Sequence, residues 1–309
     1  MILATGRSGS REIPLRRKRL ASAYSRVMLG FVVLSLLESA NFFLFAQNGT
    51  SSSNTQLDAN RLARDVFQNE IDAQIHDQSL WSYLELKEEA GKRKRFVVCQ
   101  TKDGEIDRLL AVNGQELSPV QREAEDRRIR KMLDHPNQMR QEQKKQHQDA
   151  TQERNLMKMF PDAFRFQYEG TQRGLIRLKF RPNPNFHPSR RAAQVFHHME
   201  GSLLVDGRQE RLAQISGQLT SEVKFFGGLL GHLDKGGTFL VKQQDLGSGH
   251  WELTTMDVQM NGKALFFKTI AVREQETDTN FRRIPDDMTL QQAFEFLQKN
   301  ASPQQMSGR

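Results

Sequence analysis

Phe164-Arg165-Phe166-Gln167-Tyr168-Glu169-Gly170, followed by Leu175-Ile176-Arg177-Leu178-Lys179-Phe180, alternates apolar and polar residues. Side chains on a strand point to opposite faces in turn, so a period of two reads as strands with one packed face and one wet face. The second run stops at Pro182-Asn183-Pro184, where proline cannot donate to a ladder. The pattern then repeats. A strand over 195–206 ends in an Asp206-Gly207 turn, and strands over 211–219 and 237–243 follow. Residues 251–260 read as a strand closed by Asn261-Gly262, with 264–273 returning beside it. Turn signals at intervals of roughly 8–14 residues are the rhythm of an antiparallel sheet.

Upstream, Trp81-Ser82-Tyr83-Leu84-Glu85-Leu86 alternates again. Residues 95–100 run into Lys102-Asp103-Gly104, and 106–112 into Asn113-Gly114. Both are hairpin turn signals, so 81–114 reads as a β-meander. The single cysteine, Cys99, excludes an intrachain disulfide and a cysteine metal cluster. Its apolar neighbours Phe96-Val97-Val98 mark it as a buried small hydrophobe. Before the meander, Leu57, Ala59, Leu62, Ala63, Val66, Phe67, Ile71 and Ile75 recur at helical spacing. The charges between them are mixed in sign, which suits a helix packed on a core better than one lying on a membrane. The chain closes with a short helix over 289–297 and a disordered polar tail, 301–309.

One segment breaks the β pattern. Ser118-Pro119 opens a helix, because proline's fixed φ suits the first helical position. Residues 121–133 are rich in mixed charge, Pro136 interrupts them, and 139–152 are rich in Gln and Lys with almost no apolar stripe. Two readings of this charged 117–158 excursion stand: a solvated helical or disordered detour, or an arm that contacts a protein partner. A short helix over 156–160 returns to the core.

The N-terminus has its own grammar. Arg16-Arg17-Lys18-Arg19 and Arg26 precede an apolar run over 27–37 and a second one, Phe42-Phe43-Leu44-Phe45-Ala46. Basic then apolar is the order of a secretory signal, with the positive end kept in the cytoplasm. Either the chain is cleaved after Ala46, or 27–46 stays as an inner-membrane anchor. Twenty residues span about 30 Å as a helix, roughly one bilayer. Glu38 inside the stretch opposes retention, since a carboxylate near mid-helix costs roughly 2.5 kcal/mol or more. Residues 47–56 form a flexible polar linker. Location also explains the net charge of +8: residues 1–46 carry seven basic and two acidic side chains, 7 − 2 = +5, leaving 8 − 5 = +3 for the rest. The basicity therefore belongs mainly to targeting, and a nucleic-acid partner is not expected.

No nucleophile elbow, phosphate loop or His-Glu metal pair stands at its required spacing. His197-His198 would point to opposite faces of a strand, and His187, His232 and His250 are scattered near turns. The chain is therefore read as non-enzymatic, with no cofactor and no metal. A hydrolase built on scattered His and Asp residues has no spacing to support it. The most distinctive stretch is Phe225-Phe226-Gly227-Gly228-Leu229-Leu230-Gly231-His232-Leu233, apolar and glycine-jointed. Phe225, Phe226, Leu229, Leu230 and Leu233 are the candidate ligand-binding residues, as an apolar lid over a hydrophobic cavity. A close-packed crossover between strands is the alternative.

Several of these strings together resemble the outer-membrane lipoprotein carriers and sorting proteins, the LolA/LolB-like superfamily. They are Leu178-Lys179-Phe180-Arg181-Pro182-Asn183-Pro184, Gly201-Ser202-Leu203-Leu204-Val205-Asp206, Ile215-Ser216-Gly217-Gln218-Leu219, the glycines from Gly227 to Gly237, and His250-Trp251-Glu252-Leu253. The likeness covers about 164–283, with 81–117 consistent. It implies a half-barrel, a strongly curved antiparallel sheet with a few helices packed on its concave side, whose apolar hollow holds acyl chains. It brings no catalytic residues, and the 117–158 insertion departs from the carriers. The resulting expectation is one mainly β domain over 57–300, exported to the periplasm or cell envelope. It would bind a lipid or lipoprotein acyl ligand, or serve as a structural or sensing protein that binds an envelope protein through 117–158.

Overall fold

Glycine and asparagine at the turns set the register of the sheet. Asn113-Gly114, Ala90-Gly91 and Arg173-Gly174 each place two successive residues at positive φ, from 51° to 82°. That is what two-residue hairpin turns of the right twist require. The computed structural model describes residues 54–225, 231–264 and 268–300. The targeting stretch 27–46, most of the linker and the 301–309 tail lie outside these described residues, and so do 226–230 and 265–267. None of the described helices is long and apolar enough to cross a membrane.

Helix α1 (Asn54–His76) leads into the predicted meander: β1 (Leu80–Glu89), β2 (Lys92–Thr101), β3 (Gly104–Val112) and the short β4 (Gln115–Glu116). Helices α2 (Pro119–Leu133) and α3 (Pro136–Ala163) come next. The remaining strands are β5 (Phe164–Gln172), β6 (Leu175–Pro182), β7 (Met199–Asp206), β8 (Arg211–Leu219), β9 (Val223–Phe225), β10 (Gly231–Leu233), β11 (Thr238–Asp245), β12 (Trp251–Ala264) and β13 (Lys268–Ile284). Helix α4 (Leu290–Asn300) closes the described chain. The sheet is antiparallel throughout and not closed, in the order β4-β3-β2-β1-β13-β12-β11-β8-β7-β6-β5, with β10 on β12 and β9 on β10.

Period-two alternation sends neighbouring residues to different layers. Val97 and Cys99 join Phe294 and Leu297 of α4 in one core, while Val98 between them packs with Trp81 and Tyr83. Helices α2 and α4 thus cover one face of β2 and β3, and α1 lies on β5 and β8. Paired residues form one row across most of the sheet: Lys87, Glu276, Met256, Val241, Ile215, Leu203 and Leu178. The row starts ionic and becomes wholly apolar, and its apolar members belong to the large core under α1 and α3.

Three expectations are corrected. The strand over 195–206 begins only at Met199, because Arg191–His198 form a 3-10 helix. Val195 and Phe196 are adjacent and both fully buried, which a strand with one wet face does not allow. The charged 117–158 excursion is helical and mostly exposed, as one of its two readings had it, but packed along part of its length, with Ile129 and Met139 buried. It is also tied to β3: Leu109 N donates to Glu125 (2.9 Å), Arg128 donates to Asp107 O (2.7 Å), and Arg108 pairs with Asp126 (2.8 Å). The short helix over 156–160 is the end of the 28-residue α3, which begins at Pro136 and runs through Pro161.

Asn261-Gly262 is no turn. Both residues lie inside β12, where Gly262 pairs with Ile270 on one side and Leu233 on the other. A Cβ on Gly262 would sit 2.1 Å from the His232 carbonyl oxygen, so glycine is there to let β10 approach. We expect Gly262→Ala to cost about 1–3 kcal/mol, the usual range for forced overpacking. Urea unfolding measures it, and a change within error of zero would show that β10 moves aside freely.

Candidate functional site

The apolar half of the sheet face is built by alternate residues of six strands. Phe166 and Phe180 come from β5 and β6, Leu203 and Ile215 from β7 and β8, and Val241 and Met256 from β11 and β12. Helix α1 presents Ala59, Ala63, Val66, Phe67 and Ile71 to it, all buried. Their recurrence every three to four residues is the spacing that puts them on one side. At the β5–β6 side the space is filled by rings. Phe160 from α3 lies 4.5 Å from Phe67, 4.4 Å from Phe164, 5.3 Å from Phe180 and 5.7 Å from Phe196, centroid to centroid. These offset and edge-on geometries are the favourable ones for aromatic pairs.

One buried carboxylate seats α1 on the sheet. Glu70 accepts from Arg211 Nε (2.8 Å), from the Leu212 backbone N–H (2.9 Å) and from Gln243 Nε2 (3.1 Å). Arg211 also lies over the Trp251 ring at 5.7 Å. The C-terminal end of α1 is clasped in the same region, where His250 Nδ1 stands 3.1 Å from Asp77. Burial pushes the Asp77 carboxyl up, but hydrogen bonds from Ser79 and His250 outweigh it and hold the group below its usual range.

The candidate lid residues divide. Phe225 ends β9, its backbone opposite Gly231. Leu233 is buried in the large core beside Val223. Phe226, Leu229 and Leu230 lie outside the described residues. What the strands do establish is where that stretch begins and ends, since Gly231 pairs with both Phe225 and Ala264. The histidines stay apart. His198 contacts Ser221 Oγ at 2.7 Å, and burial together with His197 lowers its pKa. His187 meets the Asn185 carbonyl, and His232 lies between Glu222 and Asp234. Cys99 is buried as expected, and burial with Glu105 nearby pushes its thiol up to about 12.

Sequence reasoning missed a cluster at the ionic end of the row. Glu85 of β1 and Glu276 and Asp278 of β13 are all buried, with carboxylate oxygens within 4.8 Å of one another. Lys87 pairs with Glu274 next to them at 2.6 Å. The signal was present as Glu274-Gln275-Glu276-Thr277-Asp278, three acids at the spacing that puts them on one face of a strand. Hard cations take carboxylate oxygens, so these three are the residues that could hold a metal among those described. The same sheet face thus runs from apolar on β5 to β12 to acidic on β13 and β1.

No protein-family model matches the chain. No curated protein matches it. Among solved structures, the chain is similar to a DUF1329 family protein from Desulfovibrio piger, with 9% identity over 75% of this chain and 94% of that one, at a TM-score of 0.26. Likeness at that level leaves the function to be argued from the chain's own side chains.

Proposed function

We propose that the chain is an exported cell-envelope protein that binds the acyl part of a lipid or lipoprotein and performs no catalysis. The observation behind this reading is the apolar face to which six strands of an unclosed sheet contribute, with α1 laid over it. Extended apolar surface of this kind suits an alkyl chain, whose burial contributes roughly 0.8 kcal/mol per methylene. Phenyl rings fill the β5–β6 side, so a ligand enters at the β8–β12 side, where the row is lined by Ile215, Val241 and Met256. In this reading Phe225, Phe226, Leu229, Leu230 and Leu233 cover the bound chain, since their stretch leaves β9 and returns in β10, which pairs with both β9 and β12. The basic-then-apolar N-terminus supplies the export signal.

The test is native mass spectrometry of the full chain purified from an envelope fraction, paired with uptake of a fluorescent fatty acid by delipidated protein. Co-purified acyl species and saturable uptake are the expected results, and their mass names the ligand class. Leu229→Glu with Leu230→Glu is expected to weaken uptake at least tenfold, about 1.4 kcal/mol. A bare protein mass together with no uptake would refute acyl binding.

A further inference from the structure

The two ends of the sheet differ in charge, and the chain enters the described structure at the positive end. Antiparallel pairing gathers the start of β2, the end of β12 and the starts of β11 and β5 at one pole. Exposed Lys92, Arg181, Arg190, Lys235 and Lys263 stand there, and none has a carboxylate partner among the described residues. Acids at this pole are already engaged: Glu88 by Arg93, Glu89 by Lys87, Glu116 by Arg95 and Glu222 by Lys224. Asp234 faces His232. Turns at the opposite pole are mixed and on balance acidic, with Asp103, Asp206, Asp245 and Asp287 beside exposed Lys102, Arg173 and Arg208.

Helix α1 starts at the positive pole. Its Asn60 accepts the Phe166 backbone N–H (2.9 Å), and Arg64 pairs with Asp162 (2.8 Å) just before β5. Seven residues, 47–53, separate the apolar 27–46 stretch from Asn54. Fully extended, they reach at most about 25 Å. With 27–46 in a bilayer, the positive pole is therefore held close to the head groups, and the acidic pole points away.

We infer that this basic pole docks on the anionic phospholipid surface of the membrane that 27–46 enters. The inference rests on the export reading, with 27–46 retained as an anchor. Docking orients the apolar face under α1 relative to the lipid from which a ligand would come. Each basic side chain near an anionic surface contributes roughly fivefold in partitioning, and salt screens the effect beyond about 8–10 Å.

The test uses the full chain in nanodiscs of phosphatidylcholine, with or without phosphatidylglycerol, doped with a nitroxide lipid. A fluorophore is placed on Thr269→Cys at the basic pole or on Lys102→Cys at the acidic pole; Cys99 is buried and takes no label. The expected result is stronger quenching at 269 in phosphatidylglycerol discs than in neutral ones, little at 102, and a fall to the neutral-disc level at high salt or when the five cations are replaced by Gln; equal quenching at 269 in the two lipids overturns the docking. Quenching at neither position, or equally at both, overturns the docking. The anchor is read separately, as retention of the chain by neutral discs on gel filtration. Should retention fail, sedimentation of the free chain with phosphatidylglycerol vesicles decides the docking. At least a tenfold loss of binding on removing the five cations supports it, and no binding by the unmodified chain overturns it.

Discussion

Glu70→Ala is expected to lower the unfolding free energy by about 3–5 kcal/mol, the range for leaving one partner of a buried ion pair uncompensated. Glu70 and Arg211 are 2% and 10% exposed at their side chains, so little solvent screens the loss. The Leu212 N–H and the Gln243 amide lose the same acceptor. Charge is the larger part of the effect, which a second variant tests. Glu70→Met with Arg211→Met removes both ions, and it is expected to be more stable than Glu70→Ala alone, since hydrophobic replacement of a whole buried pair is often neutral. Urea titration of the three proteins measures this. A double variant as unstable as the single one would show that helix placement depends on the hydrogen bonds rather than the ion balance. Because Glu70 is the polar seat of α1 on β8 and β11, Glu70→Ala is also expected to make the apolar face more accessible, read as faster uptake of a fluorescent fatty acid.

Phe160→Ala is the other large effect, also about 3–5 kcal/mol. The ring is 1% exposed and touches Phe67, Phe164, Phe166, Phe180 and Phe196. Its removal leaves a hole bounded by four elements: α1, α3, the β5–β6 hairpin and the 3-10 helix that carries Phe196. The cost depends on how far those walls collapse. Phe160→Leu keeps most of the volume and is expected to lose less than half as much. Equal losses from the two variants would mean that the ring stacking, not the filled space, holds these elements together.

Most of the strands and their order of appearance were legible in the sequence, though β9 and β10 lie where an apolar loop was expected. Alternation at 164–180, the Asn113-Gly114 turn and the apolar spacing of 57–75 are local signals, and a local signal survives any tertiary arrangement that buries one face. Three features were decided only by tertiary contact. Asn261-Gly262 reads locally as a turn, but a third strand on the far side of β12 requires a residue without a side chain. The stretch around Val195-Phe196 reads as a strand, yet both neighbours are buried together in a core assembled from α3 and β5 to β7. The charged 117–158 segment has almost no apolar stripe, and its contact with β3 runs through Glu125, Asp126 and Arg128, which a hydrophobic pattern does not register.

The candidate site divides in the same way. Its apolar residues could be narrowed from sequence to alternate positions of each strand, since burial on one face leaves a period of two, but not to the face that lines the site, and of the residues singled out in the 225–233 stretch it is Leu233 that lies in the core. The site's polar members could not be narrowed in this way. Glu70, Arg211 and Gln243 lie 141 and 173 residues apart along the chain, and Glu85 meets Glu276 and Asp278 only across the β1–β13 ladder. By itself the sequence determined the strand period, most of the turn positions and the basic-then-apolar character of the N-terminus, because each depends on neighbours within a few residues. The tertiary structure decided which charges meet, which face becomes acidic and which pole of the sheet is positive. Those depend on register between distant strands, and a hydrogen-bonded ladder fixes register by contacts that no local pattern contains.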